Sequence, residues 1–267
     1  MSINKPMVNA GFNYINGLQL VYNTTLLLTV TAGSCRDSTN SNDISVGLAI
    51  PLAATQTGEL PVDAATGNVT INTAANGVAG LDQGVLVLNT FYAVYAIGDS
   101  NNVNPGSAML SANLTTPLMP HGYDMFFRIG YVKTDASVHL LAFRQDGIGL
   151  DRWMWYDAPI VTGVTAGASA TYAAVDATGA LPTGMATMVN WYCVFTPTAA
   201  NNKLVLVPGT STATLGYASA SGAVGAVVET VNLICPTDLP ITDAIDYKVT
   251  GSAVAIDVAA YLDQLSV

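Results

Sequence analysis

Residues Phe91–Gln145 read FYAVYAIGDSNNVNPGSAMLSANLTTPLMPHGYDMFFRIGYVKTDASVHLLAFRQ. The first run, Phe91–Ile97, is apolar at odd and even positions alike, which predicts a central strand covered on both faces. Gly98-Asp99-Ser100-Asn101-Asn102 and Asn104-Pro105-Gly106 follow as turn chemistry. Phe126–Lys133 and Val138–Arg144 flank Thr134-Asp135-Ala136-Ser137, which predicts two strands joined by a short hairpin loop. Almost nothing in the stretch is able to do catalysis, so it points to a structural or binding protein.

The period of two continues on either side. Ser45–Ile50 is an apolar run stopped by Pro51, and Val85–Leu88 leads through Asn89-Thr90 into Phe91. Val189, Trp191, Cys193 and Phe195 alternate with Met188, Asn190, Tyr192 and Val194, giving one apolar face. Thr196-Pro197 ends that strand, and Leu204–Val207 is read as its return, closed by Pro208-Gly209. Val227–Ile234 is rich in β-branched residues. Tyr247–Val249 and Val254–Val258 read as a hairpin around Thr250-Gly251-Ser252. Only Val258–Leu265 offers a turn or two of helix. These signals predict an all-β chain, an antiparallel β-sandwich or jelly roll. Two β domains are expected, 1–147 and 148–267, with the boundary inside 146–180; a single sandwich with a long insertion is the alternative.

Composition narrows the function. The 267 residues are 51% hydrophobic and only 10% charged, with a net charge of −10 and eight Lys and Arg. Soluble domains average about a quarter charged, so part of the apolar excess is expected to be buried between subunits. No basic cluster exists to neutralise phosphates, which argues against nucleic acid as a partner and against a polybasic contact with lipid. The run Val85–Gly98 is too short to cross a bilayer and is broken by Asn89 and Thr90. MSINKPMVNAGFNY lacks the layout of a signal peptide, so folding in a cytoplasm is expected. Cys35, Cys193 and Cys235 match neither zinc nor redox spacing and read as core thiols; a Cys193–Cys235 bridge requires neighbouring strands.

Candidate chemistry is sparse. His121, in Pro120-His121-Gly122, reads as a turn residue, and His139 as a polar-face strand residue. The loop Cys35–Asp43 has oxygen ligands, yet Thr39 and Ser41 occupy the ligand places of a calcium loop, so Asx and Ser/Thr turns are the better reading. Neither a nucleophile elbow nor a phosphate loop occurs. No catalytic residue, cofactor or metal site is expected. Asp146, Asp151 and Asp157 surround Trp153, Trp155 and Tyr156, and acids beside aromatics are what a sugar site needs. Trp153, Trp155 and Tyr156 are therefore the candidate contacts for a ligand or partner.

The pieces NAGFNYINGLQL, GSCRDSTNSNDI, GLDQG, FYAVYAIGDS, PGSAMLS, PHGYDMFFRIGYVKTD and LLAFRQ resemble a family of bacteriophage virion-associated proteins: minor structural, decoration or fibre-like components. The resemblance covers the first half, up to Gln145, and fades after Trp153. It implies a β-rich, non-enzymatic particle component made in the bacterial cytoplasm and located in the virion, on head, tail or fibre. With the low charge, it leads to the expectation of a homo-oligomer, a trimer foremost, in contact with other virion proteins. The alternative is a host-recognition or carbohydrate-binding fibre module.

Overall fold

The computed structural model describes residues 14–47, 63, 65–183, 186–197, 202–209, 218–221, 229–237 and 245–265. Among these the chain is all-β. Its strands, in chain order, begin with β1 (Ile15–Gly17), β2 (Leu20–Thr24), β3 (Leu27–Val30), β4 (Gly33–Arg36), β5 (Asp43–Val46) and β6 (Val69–Asn72). The middle supplies β7 (Phe91–Gly98), β8 (Ser107–Ser111), β9 (Met125–Lys133), β10 (Phe143–Ile148), β11 (Asp151–Gly167) and β12 (Ala173–Val175). Then come β13 (Ala186–Pro197), β14 (Lys203–Pro208), β15 (Ala218–Ser221), β16 (Glu229–Pro236), β17 (Ile245–Val249) and β18 (Ser252–Gln264). Residues 48–50 of the early apolar run, the Pro51 that stops it, and 227–228 of the later run lie outside the described residues.

Among the described residues these strands form four antiparallel sheets. The largest runs β16-β13-β18-β11-β10-β2-β3-β6, with smaller sheets β1-β4-β5, β8-β7-β9 and β12-β17-β14-β15. All eight residues of β7 are buried, as its two-sided apolar pattern requires. One face of β7–β9 meets β5, with Ile44 packed over Gly98. The other meets the eight-stranded sheet, where Leu20 and Gln145 press on Gly130. At that point β9 carries a bulge: Val94 pairs Gly130 and Tyr95 pairs Arg128, leaving Ile129 as the extra residue. Gly130 has φ +154°, and a side chain there would strike Leu20 and Gln145. This is a sandwich-like stacking of sheets around buried inner faces.

The eight-stranded sheet spans both sequence halves. The β10–β11 hairpin pairs Phe143 with Tyr156 through Ile148 with Asp151, so the expected boundary at 147/148 falls inside β10, just before the hairpin turn. Beyond it, β18 inserts between β11 and β13. The two halves thus share one hydrogen-bonded sheet.

Four local expectations change. Val138–Arg144 does not return along β9: after a single bridge, Thr134–Leu140, the chain crosses to the large sheet as β10. Val138 has φ +64°, and the Leu140 amide donates to Thr25 O, which steers the chain towards β2 and β3. Likewise β14 pairs β15 and β17 rather than β13. Ile245–Val249 and the strand from Ser252 belong to different sheets, because Thr250 is held by Lys203 and Asn202 by Gly251. Residues 258–264 are strand, not helix: β18 is paired on both sides, and that pairing overrides the helix propensity of Ala and Leu.

The turn chemistry holds in detail. The Asp37 carboxylate accepts from Thr39 Oγ1 (2.7 Å) and from the Ser41 and Asn42 amides (2.7 and 2.9 Å), while Arg36 pairs with Asp43 at 2.8 Å. Asp99 likewise accepts from the amides of Asn101, Val103 and Asn104. These are Asx turns that hold the loop backbones. Burial pushes the Asp37 carboxyl up, but the bonds from Asn42, Thr39 and Ser41 outweigh it and hold the group below its ordinary value. A depressed carboxylate stabilises the fold above its unfolded pKa and loses that contribution as pH falls through the folded one. Asp37→Ala is expected to cost about 2 kcal/mol near neutral pH. In urea melts the difference from wild type should shrink below about pH 4; a pH-independent gap would contradict this.

Candidate functional site

The strand D-R-W-M-W-Y-D alternates about the large sheet. Arg152, Met154 and Tyr156 point inward and are buried, whereas Trp153 and Trp155 lie half-buried on the outer face. The two indoles stand side by side, 5.7 Å between ring centroids and tilted by 31°. Tyr156 is not with them: it is 8% exposed, its ring 6.2 Å from that of Tyr261 in the core. Of the three expected contact residues, two share a face and the third packs behind it.

Cross-strand pairing extends that face. Trp153 lies opposite Asp146 on one side and Leu262 on the other, and Leu262 opposite Met188. Trp155 lies opposite Arg144, itself opposite Val21. Val21 is 45% exposed, and Ile234, opposite Asn190 at the far strand, equally so. Leu262, Met188 and Tyr192 are half-buried. The outer face is therefore a broad apolar and aromatic surface with little charge.

A groove of about 390 Å³ lies between β2 and β10, one strand over from the indoles, whose cross-strand partners Arg144 and Asp146 line it. It exists because β2 and β10 pair only at Val21–Arg144 and splay apart beside it. Gln19, Tyr22, Arg144 and Asp146 supply its polar groups. Arg144 and Asp146 form an exposed ion pair at 2.7 Å. The three acids do not converge on this groove. Asp146 lines it, Asp151 sits at the start of β11 opposite Ile148, and Asp157 lies in a bulge where Trp155 and Ile160 pair nearly adjacent residues of β18. The arrangement offers flat stacking surface and hydrogen bonds, not a pair of facing carboxylates.

Behind this face lies a buried polar network that sequence reasoning missed. Arg128 Nη1 is 2.7 Å from both oxygens of Asp263, which is fully buried, and its guanidinium stacks 4.4 Å over the Tyr131 ring. Burial pushes the Asp263 carboxyl up, opposed by Arg128 and Arg152. Arg152, also fully buried, donates to Leu18 O (2.5 Å), Gly17 O (2.7 Å) and Gln145 Oε1 (3.2 Å). Burial lowers its guanidinium to about 10, against the pull of Asp263 and Cys35. Gln145 in turn accepts from the Leu20 amide and donates to Ile129 O. These bonds clamp β9 and the β1–β2 segment to the large sheet. One signal was available: Arg152 shares strand parity with Met154 and Tyr156, and Asp263 with Tyr261.

His121 sits in an exposed turn, and His139 lies in the loop after β9, 4.0 Å from Asp135, not in a strand. Cys193 and Cys235 are on neighbouring strands, but Cys235 faces Val189 and Cys193 faces Val231; no disulfide joins Cys35, Cys193 or Cys235, and all three are buried. No helix among the described residues is long and apolar enough to cross a membrane. Searches of protein-family models, of curated proteins and of solved structures find no match to this chain.

Proposed function

We propose that this chain is a non-enzymatic structural component of a bacteriophage particle, an oligomeric decoration or accessory protein, whose open sheet face is a subunit contact. The observation that carries this reading is the outer face of the eight-stranded sheet. Trp153, Trp155, Leu262, Met188, Tyr192 and Ile234 leave it apolar on a chain with only 10% charged residues. Further large apolar side chains stand out elsewhere: Val85 is 79% exposed and Val103 72%. Surface of this kind marks interaction sites. A homotrimer or other closed ring buries it symmetrically and gains stability by mass action. The resemblance of the first half to virion-associated proteins supports the same role and a bacterial cytoplasmic origin. Other virion proteins are then the remaining partners.

A second reading is a host-recognition module that binds carbohydrate. The paired indoles beside a groove with Arg144, Asp146 and Gln19 favour it, since sugars stack on flat aromatics and hydrogen-bond at their edges.

Both readings meet in one variant. Light scattering of the wild-type chain at micromolar concentration should give an oligomer, and Trp155→Asp should shift it to a smaller species. A stable wild-type monomer would count against the particle contact. A glycan array that binds wild type but not Trp155→Asp would move the assignment to carbohydrate recognition.

A further inference from the structure

A second depression, about 420 Å³ and distinct from the groove, lies where the end of β9, the bulge of β11 and the turn around Thr178 meet. Leu141, Ala158, Pro159 and Ile160 make its apolar wall, and Asn89 and Thr178 line its polar side. Lys133 also lines it and is only 4% exposed. Burial alone pushes its amine below the ordinary lysine range.

A buried ammonium is normally paired with a carboxylate. Among the described residues none pairs with Lys133; the ion pairs there use other cations. Among the described residues its charge-related contact is the Phe91 ring, 5.3 Å from Nζ, which compensates only part of the lost hydration. Asp135 lines the same depression, yet no ion pair joins it to Lys133. One of its oxygens accepts from the Ser137 and His139 amides at 2.7 and 2.9 Å, and the other lies 4.0 Å from His139 Nδ1. A crevice of ligand size thus has an apolar wall, hydrogen-bonding groups and a cation with no carboxylate partner among the described residues. Its wall is a β-bulge, a device found beside binding sites.

We propose that this crevice binds a ligand carrying a carboxylate on an apolar body, with the carboxylate accepting from the Lys133 ammonium and the body lying on Leu141, Pro159 and Ile160. The site is independent of the particle role. A charge-assisted bond formed out of water is strong, and the same body without charge leaves the cation unpaired.

The test uses the full chain, with hexanoate and its neutral isostere hexanamide as probes, followed by NMR. Wild type should bind hexanoate at least about tenfold more tightly than hexanamide. Lys133→Met, which conserves volume, should lose hexanoate binding while still admitting hexanamide. Equal binding of the two probes by wild type, or no binding of hexanoate, would overturn the proposal and leave Lys133 a structural residue. Should the variant fail to fold, side-chain NMR of wild type still decides. Hexanoate should raise the Lys133 pKa, and an unmoved pKa would overturn the assignment.

Discussion

Asp263→Ala is expected to lower the unfolding free energy by about 3–5 kcal/mol, a large share of the about 5–15 kcal/mol that holds a domain together. The loss is not the attraction between Arg128 and Asp263 itself. It is the cost of leaving Arg128, 9% exposed, and Arg152, fully buried, without the carboxylate that compensates them. The double variant Arg128→Met/Asp263→Leu removes both charges of the ion pair, so it should recover a good part of that loss. Urea denaturation of Arg128→Met, Asp263→Leu and the double variant gives the coupling directly. A single-variant cost below about 1 kcal/mol would mean that water reaches the pair.

Trp191→Ala should be comparably damaging, at about 3–5 kcal/mol. Trp191 heads the fully buried side chains, in mid-β13 between Leu233 of β16 and Val258 of β18. Its removal leaves a cavity in the inner face of the large sheet, and strands paired on both sides relax poorly into it. Trp153→Ala, on the outer face of the same sheet, is the control: it should cost far less in denaturant. If the two behave alike, the inward and outward assignment of the sheet is wrong.

Much of this fold was legible in the sequence, and the reason is parity. Where one face is buried, alternate residues declare it: Val189, Trp191, Cys193 and Phe195 are all fully buried, and Phe91–Ile97 declares both faces. Asn- and Asp-rich turns were equally readable, since Asp37 and Asp99 bind their own loops. What local pattern does not encode is which sheet a strand joins. The turns at 134–137 and 250–252 look like hairpin loops, yet both are corners between sheets, set by distant groups such as Thr25 O and Lys203 O. Buried charge escaped for the same reason. Arg128 and Asp263 are separated by 135 residues, and each alone reads as a solvent-facing residue. The candidate contact set was two-thirds legible: adjacency in sequence suggested a cluster, while alternation sends Tyr156 to the opposite side from its tryptophans.

The placement of β18 sets the timing of folding. It is the seam of the large sheet, with β11 on one flank and β13 on the other. Until residues 252–264 have left the ribosome, both neighbours expose raw hydrogen-bonding edges, and Arg128 lacks its Asp263 counter-ion. The first half of the nascent chain therefore waits, incompletely closed, for its final strand. Long-range pairing of this kind is slow and leaves sticky intermediates. Joining β18 to both flanks at once is therefore the late, long-range step of this fold.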